Sequence, residues 1–245
     1  MGKDKGKKGK NRSSRGSGGS GAAVAAAARA LAAVADAAAS PWRSVALLDI
    51  TYENGNKATG TAWFFGERCL ATAGHNIRHP QNGEAVEILV WPARNGAAGT
   101  LGPYRVPDNG MHCDPRWRAG SADPSLDYGA LVLDDPTPGR QLGWFDLQAF
   151  DDGRLRGLDV QICGYPFRAG GRSQFRNEGR FQDVERQALR YRFATVVGMS
   201  GAPVFAKVGD GWVAVGIHTG SDGRGDSARR IDTGLRQFLK GLSGG

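Results

Sequence analysis

Gly198-Met199-Ser200-Gly201-Ala202-Pro203 sets a serine among small residues, directly ahead of the apolar run Val204-Phe205-Ala206. Glycine at such a place allows a sharp turn and lets backbone N–H groups come close to a ligand. A serine hydroxyl is a poor nucleophile until a base takes its proton and donors stabilise the resulting oxyanion. Working outward, Thr72-Ala73-Gly74-His75-Asn76 closes one apolar run, and Ser125-Leu126-Asp127-Tyr128-Gly129-Ala130-Leu131 opens another. The order is His75, Asp127, Ser200. Acyl transfer needs those three types: a hydroxyl to attack, an imidazole to accept and return its proton, and a carboxylate to fix the imidazole tautomer. The N–H groups of Gly198 and Ser200 are the candidates for the oxyanion. An α/β-hydrolase is excluded, because it runs serine, acid, histidine and carries Gly-x-Ser-x-Gly, whereas Ala202 follows Gly201 here.

The remainder of the chain from Pro41 reads as many short strands. Ser44–Ile50, Thr61–Phe65, Cys69–Thr72, Val86–Val90 and Tyr128–Leu133 are apolar runs broken by Gly, Asn, Asp and Pro, and Asn54-Gly55 is a hairpin signal. Leu158, Val160 and Ile162 alternate with polar residues, as do Leu189, Tyr191 and Phe193, the period of a half-buried strand. Asp210-Gly211 joins strands 203–208 and 212–218, and Asp232-Thr233 caps a last helix with Leu235, Phe238 and Leu239 on one face. Residues 92–126 are rich in loop signals. The class is all-β, sandwich or barrel, with a C-terminal helix.

Taken singly, each site residue has an ordinary role: His75 as a strand-end histidine, Asp127 as a strand terminator with Asp123 as its competitor, Ser200 as a turn serine. Together, Thr-Ala-Gly-His, Asp-Tyr-Gly-Ala-Leu, Gly-Met-Ser-Gly-Ala-Pro and Gly216-Ile217-His218-Thr219 resemble the chymotrypsin-like serine proteases, and within them the bacterial glutamyl endopeptidases, over about residues 41–242. Gly164-Tyr165-Pro166 and Arg230-Ile231 add to the likeness. The resemblance implies two six-stranded antiparallel β-barrels with the site in the cleft between them and a boundary near residues 125–140. It implies a serine endopeptidase acting on protein or peptide substrates. It places Thr195 and His218 in the specificity pocket as donors suited to a carboxylate, hence cleavage after Glu, with Asp less favoured. Ala194 stands where trypsin-like enzymes carry an Asp, which argues against a trypsin-like preference. Two departures stand out. Met199 replaces the Asp that pairs with a new N-terminus in trypsin-like zymogens, and Asn76 replaces the family's half-cystine after the histidine.

The net charge of +8 is concentrated at the amino end, where seven Lys and Arg against Asp4 alone place six of the eight charges in residues 1–20. Residues 1–21 are expected to be disordered, either as a solvated tail or as a tether for an anionic partner, nucleic acid or membrane. Residues 22–39 are expected to be an alanine-rich helix, read as a linker or as a cleaved targeting or pro-segment, and ended by Ser40-Pro41. No apolar run reaches the roughly 18–20 residues that span a bilayer. Cys69, Cys113 and Cys163 show no CxxC spacing, which favours reduced thiols and a cytoplasmic location, with secretion behind an atypical leader as the alternative. No metal-ligand spacing is present, His79 and His112 receive no role, and no cofactor is expected. Two rival functions remain at this stage: an inactive protease-like interaction module, and a tail-tethered binder that uses the barrels as scaffold.

Overall fold

The computed structural model describes residues 1–2, 31–97, 101–118, 123–167, 171–222 and 224–244. Most of the basic tail and the first part of the alanine-rich segment lie outside the described residues. The strands are β1 Ala32–Ala33, β2 Val45–Tyr52, β3 Lys57–Phe64, β4 Cys69–Thr72, β5 Arg78–His79, β6 Gly83–Pro92, β7 Tyr104–Arg105, β8 Met111–Cys113 and β9 Gly129–Val132. They continue as β10 Asp146–Leu147, β11 Val160–Gly164, β12 Phe175–Gly179, β13 Asp183–Val184, β14 Ala188–Tyr191, β15 Pro203–Val208, β16 Gly211–Asp222 and β17 Gly225–Arg230. Helices α1 Thr137–Leu142 and α2 Asp152–Arg156 are short, and α3 Thr233–Ser243 closes the fold.

Two sheets result. One runs β5-β6-β2-β3-β4-β9-β8 with β7 on β6, and the other runs β1-β12-β11-β15-β16-β17-β14-β13 with β10 on β16. The expected six strands per unit become eight and nine, because the two-residue ladders β1, β5, β7, β10 and β13 are added to them. All pairings are antiparallel except β10 with β16.

Three packed clusters explain why the strands carry such dense apolar runs. Val45 and Leu47 of β2 face a core shared between the sheets, with Trp63, Ala71, Cys163, Tyr165 and Phe205. Ala46, Leu48, Ile50 and Tyr52 of the same strand face the first sheet's own core. On β15, Phe205 faces the shared core while Val204 and Ala206 face the second sheet's core, beside Val213 and Val215. A strand with a core on each side has no solvent face, so it reads as a continuous apolar run. The shared cluster locks the two sheets together, and the site lies at that junction.

The turns follow their sequence signals with one shift. Gly55 takes φ 83 in the β2–β3 hairpin. In the second hairpin Val208 pairs with Gly211, so the turn is Gly209-Asp210, with Gly209 at φ 60, rather than Asp210-Gly211. Asp232 caps α3 by accepting from Leu235 N at 2.8 Å. The helix expected over 22–39 is not found in its described part. Ala32-Ala33 pairs instead with Arg176-Phe175 of β12, and Val34 is buried in the shared core, so the folded region begins ahead of Pro41. Helix propensity in alanine is a weak bias that a sheet edge and one buried valine override. Among the described residues the cysteines are all free, and no helix is long and apolar enough to cross a membrane.

Candidate active site

His75 lies in a 3-10 turn, Gly74–Asn76, directly after β4, so the sheet fixes where its ring emerges. Asp127 ends another such turn, Pro124–Leu126, directly before β9, the hydrogen-bonded neighbour of β4. The two meet twice: His75 N donates to Asp127 Oδ1 at 2.9 Å, and His75 Nδ1 lies 2.8 Å from Asp127 Oδ2. With Nδ1 carrying its hydrogen toward the carboxylate, Nε2 is left as the basic nitrogen. Asp123 does not compete, since its carboxylate caps its own turn through Ser125 N at 2.9 Å. The Asp127 loop is itself clamped, by Arg229 Nε donating to Ser125 O at 2.6 Å and by Tyr128 Oη donating to Asp114 Oδ2 at 2.7 Å.

Burial of the His75 ring disfavours its cation, but the Asp127 charge and hydrogen bond together outweigh that effect and raise its pKa above the ordinary histidine value of 6.5. A base with a raised pKa is lost sooner as pH falls. The acidic limb of kcat/KM against pH is therefore expected at or above 6.5, measured on the free enzyme with a peptide substrate. A rate that holds level down to pH about 4 would rule His75 out as the base.

Ser200 stands in the turn before β15, half-buried, and the opposite sheet holds it there. Its carbonyl accepts from Thr61 N of β3 at 2.9 Å and from Asn76 Nδ2 at 3.0 Å. Asn76 is the residue after His75, so one amide side chain ties the serine turn to the histidine turn. Asn76 Nδ2 also donates to Thr72 Oγ1 at 2.9 Å, and Gly60 makes room, because a Cβ there would sit 2.6 Å from the same nitrogen. Thr61 Oγ1 donates to Gly198 O at 2.9 Å. Met199 N donates to Val196 O at 3.1 Å and the Met199 side chain is buried in the second core. An Asp–amine ion pair is thus not what shapes this loop. Two threonine-strand bonds, one asparagine and a buried methionine shape it.

Gly198 takes φ 98, a conformation that favours glycine, and a Cβ there would overlap Tyr165 O. Among the described residues the N–H groups of Gly198 and Ser200 donate to no protein acceptor, while the Met199 N–H between them is used. Two unspent donors flanking a bonded one are the pattern an oxyanion site requires. For Asn76→Ala the expected result is a loss of about 2 kcal/mol of stability, from two buried hydrogen bonds. A fall in kcat of roughly tenfold with little change in KM should accompany it if Ser200 is the nucleophile, because the serine is displaced and substrate contacts are not. Urea unfolding and steady-state kinetics on the same variant check both.

The two residues expected to line the specificity pocket lie on the second sheet's side, and they do not bond to each other. His218, on β16, is fully buried, with Nδ1 at 2.7 Å from Tyr191 Oη and 3.0 Å from Ser227 O. Burial pushes its pKa down to about 4, so it is neutral around pH 7. Thr195 Oγ1 donates to Asp226 Oδ1 at 2.7 Å. Sequence reading missed Thr61, Arg229 and Asp226 as parts of this site. Each acts across a gap of 30 or more positions, through sheet pairing that no local pattern announces. Asn76 was visible as a substitution in the motif, but its new partner was not.

No protein-family model matches the chain. It is 30% identical over 202 residues to the glutamyl endopeptidase of Bacillus licheniformis, covering 80% of this chain and 60% of that protein. The chain thus spans about three fifths of that relative's length. A solved Glu endopeptidase in complex with MPD superposes with TM-score 0.75 at 18% identity, over 88% of this chain and 97% of that one. The protease Anisep from Arthrobacter nicotinovorans gives 0.68 at 15% identity, over 83% of this chain and 96% of that one. A thermostable serine protease, AL20, gives 0.69 at 18% identity, over 82% and 97%. At those identities the structural likeness is one of fold, and the sequence relative supplies the kinship. The chain has the chymotrypsin-like fold of those solved proteases and, in sequence, is similar to a glutamyl endopeptidase.

Proposed function

We propose that this chain is a serine endopeptidase working through an acyl-enzyme. Ser200 Oγ attacks the scissile carbonyl as His75 Nε2 accepts its proton. Asp127 holds the imidazole tautomer and stabilises the imidazolium. The Gly198 and Ser200 N–H groups receive the oxyanion. On collapse, His75 returns the proton to the leaving amine, and water then repeats the attack to free the acid and restore Ser200. The observation that carries this reading is the double engagement of His75 by Asp127, at 2.9 and 2.8 Å, beside a serine turn pinned by the neighbouring Asn76.

The name of the sequence relative and the presence of Thr195 and His218 support an acidic residue on the acyl side of the cut. The hydrogen bonds those two residues make do not favour it. Thr195 spends its proton on Asp226, and His218 is neutral.

A fluorophosphonate probe tests the main reading. It should label the full chain at Ser200 and fail to label Ser200→Ala, with labelling strongly slowed in His75→Ala. An unlabelled, folded wild-type chain would mean an inactive protease-like module.

A further inference from the structure

Arg229 of β17 is a buried cation, 4% exposed, that reaches from the second sheet into the first. Its Nε donates to Ser125 O at 2.6 Å, and one amino group donates to Asp232 Oδ2 at 3.0 Å. The other amino group donates to Gln187 O at 3.5 Å and to Arg230 O. The guanidinium carbon lies 5.5 Å from the centre of the Tyr128 ring. Ser125 and Tyr128 flank Asp127, two positions before it and one after. Asp127 itself takes φ −77 and ψ 67, and Tyr128 N donates to Leu126 O at 2.8 Å, which makes it the centre of an inverse γ-turn. A side chain at that place moves with the plane of its turn. Holding both flanks therefore fixes where the carboxylate oxygens lie.

The backbone of the same strand leads to the serine. Arg229 is opposite Ile217 of β16, and the next residue, His218, accepts from Gly201 N at 2.7 Å and donates its own N–H to Ala202 O at 2.9 Å. One strand pair thus holds the Ser200 turn through its backbone and the Asp127 turn through an arginine. We infer that Arg229 is a positioning residue, which from the second sheet sets Asp127 against His75 and both against Ser200. A lysine could not do this, since its three donors sit on one atom, whereas the planar fork of arginine spans acceptors on several segments. Asp232 supplies the counter-charge that a buried cation needs.

The role rests on the endopeptidase reading, so one readout is chosen that needs no turnover. Arg229→Lys keeps the charge and loses the fork, so a change at His75 reports geometry. The His75 ring is titrated by NMR in the full chain with ring-labelled histidine, beside kcat and KM against pH. Asp127 stabilises the imidazolium, so a displaced carboxylate stabilises it less and the proton leaves at lower pH. The other titratable groups near the pair are His79 of β5, His218 of β16, Tyr52 of β2 and Cys113 of β8. Burial lowers the two imidazoles and raises the phenol and the thiol, so each is mainly neutral between pH 6.5 and about 8. The His75 titration and the acidic limb should both move down by about half a pH unit in Arg229→Lys. In the folded protein kcat should fall roughly 10 to 100-fold with KM within about twofold. If Arg229→Lys does not fold, Asp232→Asn decides. It keeps an oxygen for the Leu235 cap, turns an amide N–H toward the guanidinium, and should move His75 in the same direction by a smaller amount. A melting temperature that drops while the ring titration stays in place overturns the inference and leaves the endopeptidase reading standing. No fluorophosphonate labelling, with a ring titration that moves, overturns that reading and supports Arg229 as the residue that sets Asp127 on His75.

Discussion

Ser200→Ala and His75→Ala should each reduce kcat/KM for a good peptide substrate by about 10⁴ to 10⁶-fold, and the double variant should be no slower than the worse single one. The reason is that the hydroxyl and imidazole act in one event. Without the base the serine stays protonated, and without the serine the base has nothing to deprotonate that is in place. Asp127→Asn should cost about 10⁴-fold. An amide in that place can donate a hydrogen to Nδ1, which would turn the ring so that Nε2 carries the proton and cannot accept another. The residual rate belongs to the two unspent N–H groups and to substrate binding, which none of these changes touches. Each substitution is small, and the pair His75–Asp127 is mostly shielded, with 20% and 9% of the side chains exposed, so thermal melts should confirm that the variants remain folded. A Ser200→Ala chain retaining more than about 1% of the wild-type rate would end the proposal, since no other residue in the serine turn can attack a carbonyl.

Much of the candidate site could be read from sequence because the residues proposed to react sit at strand ends. A strand end is marked locally, by a change from alternating apolar residues to Gly, Asn and Asp, and Thr72-Ala73-Gly74-His75 and Gly198-Met199-Ser200-Gly201 both carry that mark. The antiparallel architecture was legible for the same reason, in the hairpin signals and the period-two runs. Strand numbers were not, because the two-residue ladders such as Ala32-Ala33 are defined by the partner they meet and not by their own composition. The supporting contacts were illegible on similar grounds. Thr61 lies mid-strand, where a threonine is an ordinary sheet residue, and only the closure of one sheet on the other shows that its N–H and hydroxyl hold Ser200 and Gly198. Asp226 lies 31 positions beyond Thr195, and nothing in the stretch Gly225-Asp226-Ser227 distinguishes it from a loop aspartate. Local pattern, in short, locates groups that do chemistry at the end of an element. Groups that position them are found through non-local pairing.

Gly201→Ala should be among the most damaging single-methyl changes at the described residues. Gly201 takes φ 89, and its N–H donates to His218 O at 2.7 Å, so the turn cannot swing away without breaking into β16. A Cβ at this position would overlap Thr61 O and Thr72 Oγ1 and lie 3.0 Å from Ala73 N. Two of those atoms are backbone, and the third is tied down because Thr72 Oγ1 donates to Thr61 O at 2.8 Å. The neighbours therefore cannot give way as the tip of a flexible side chain would. Left-handed backbone costs an alanine about 1 kcal/mol, and overpacking against fixed atoms adds roughly 1–3 kcal/mol more. The expected total is about 3 kcal/mol, or a melting temperature lower by roughly 6–12 °C for a chain of this size. Because relief comes from pushing the serine turn off β3, kcat should fall by at least about 10²-fold in the protein that remains folded. Gly209→Ala supplies the comparison. It has φ 60 in the β15–β16 turn and open space around its Cβ position, so it carries the backbone cost alone. If the two variants melt together, the close approach of the serine turn to Thr61 is not what sets the fit between the sheets, and the account of how Ser200 is held would have to be abandoned.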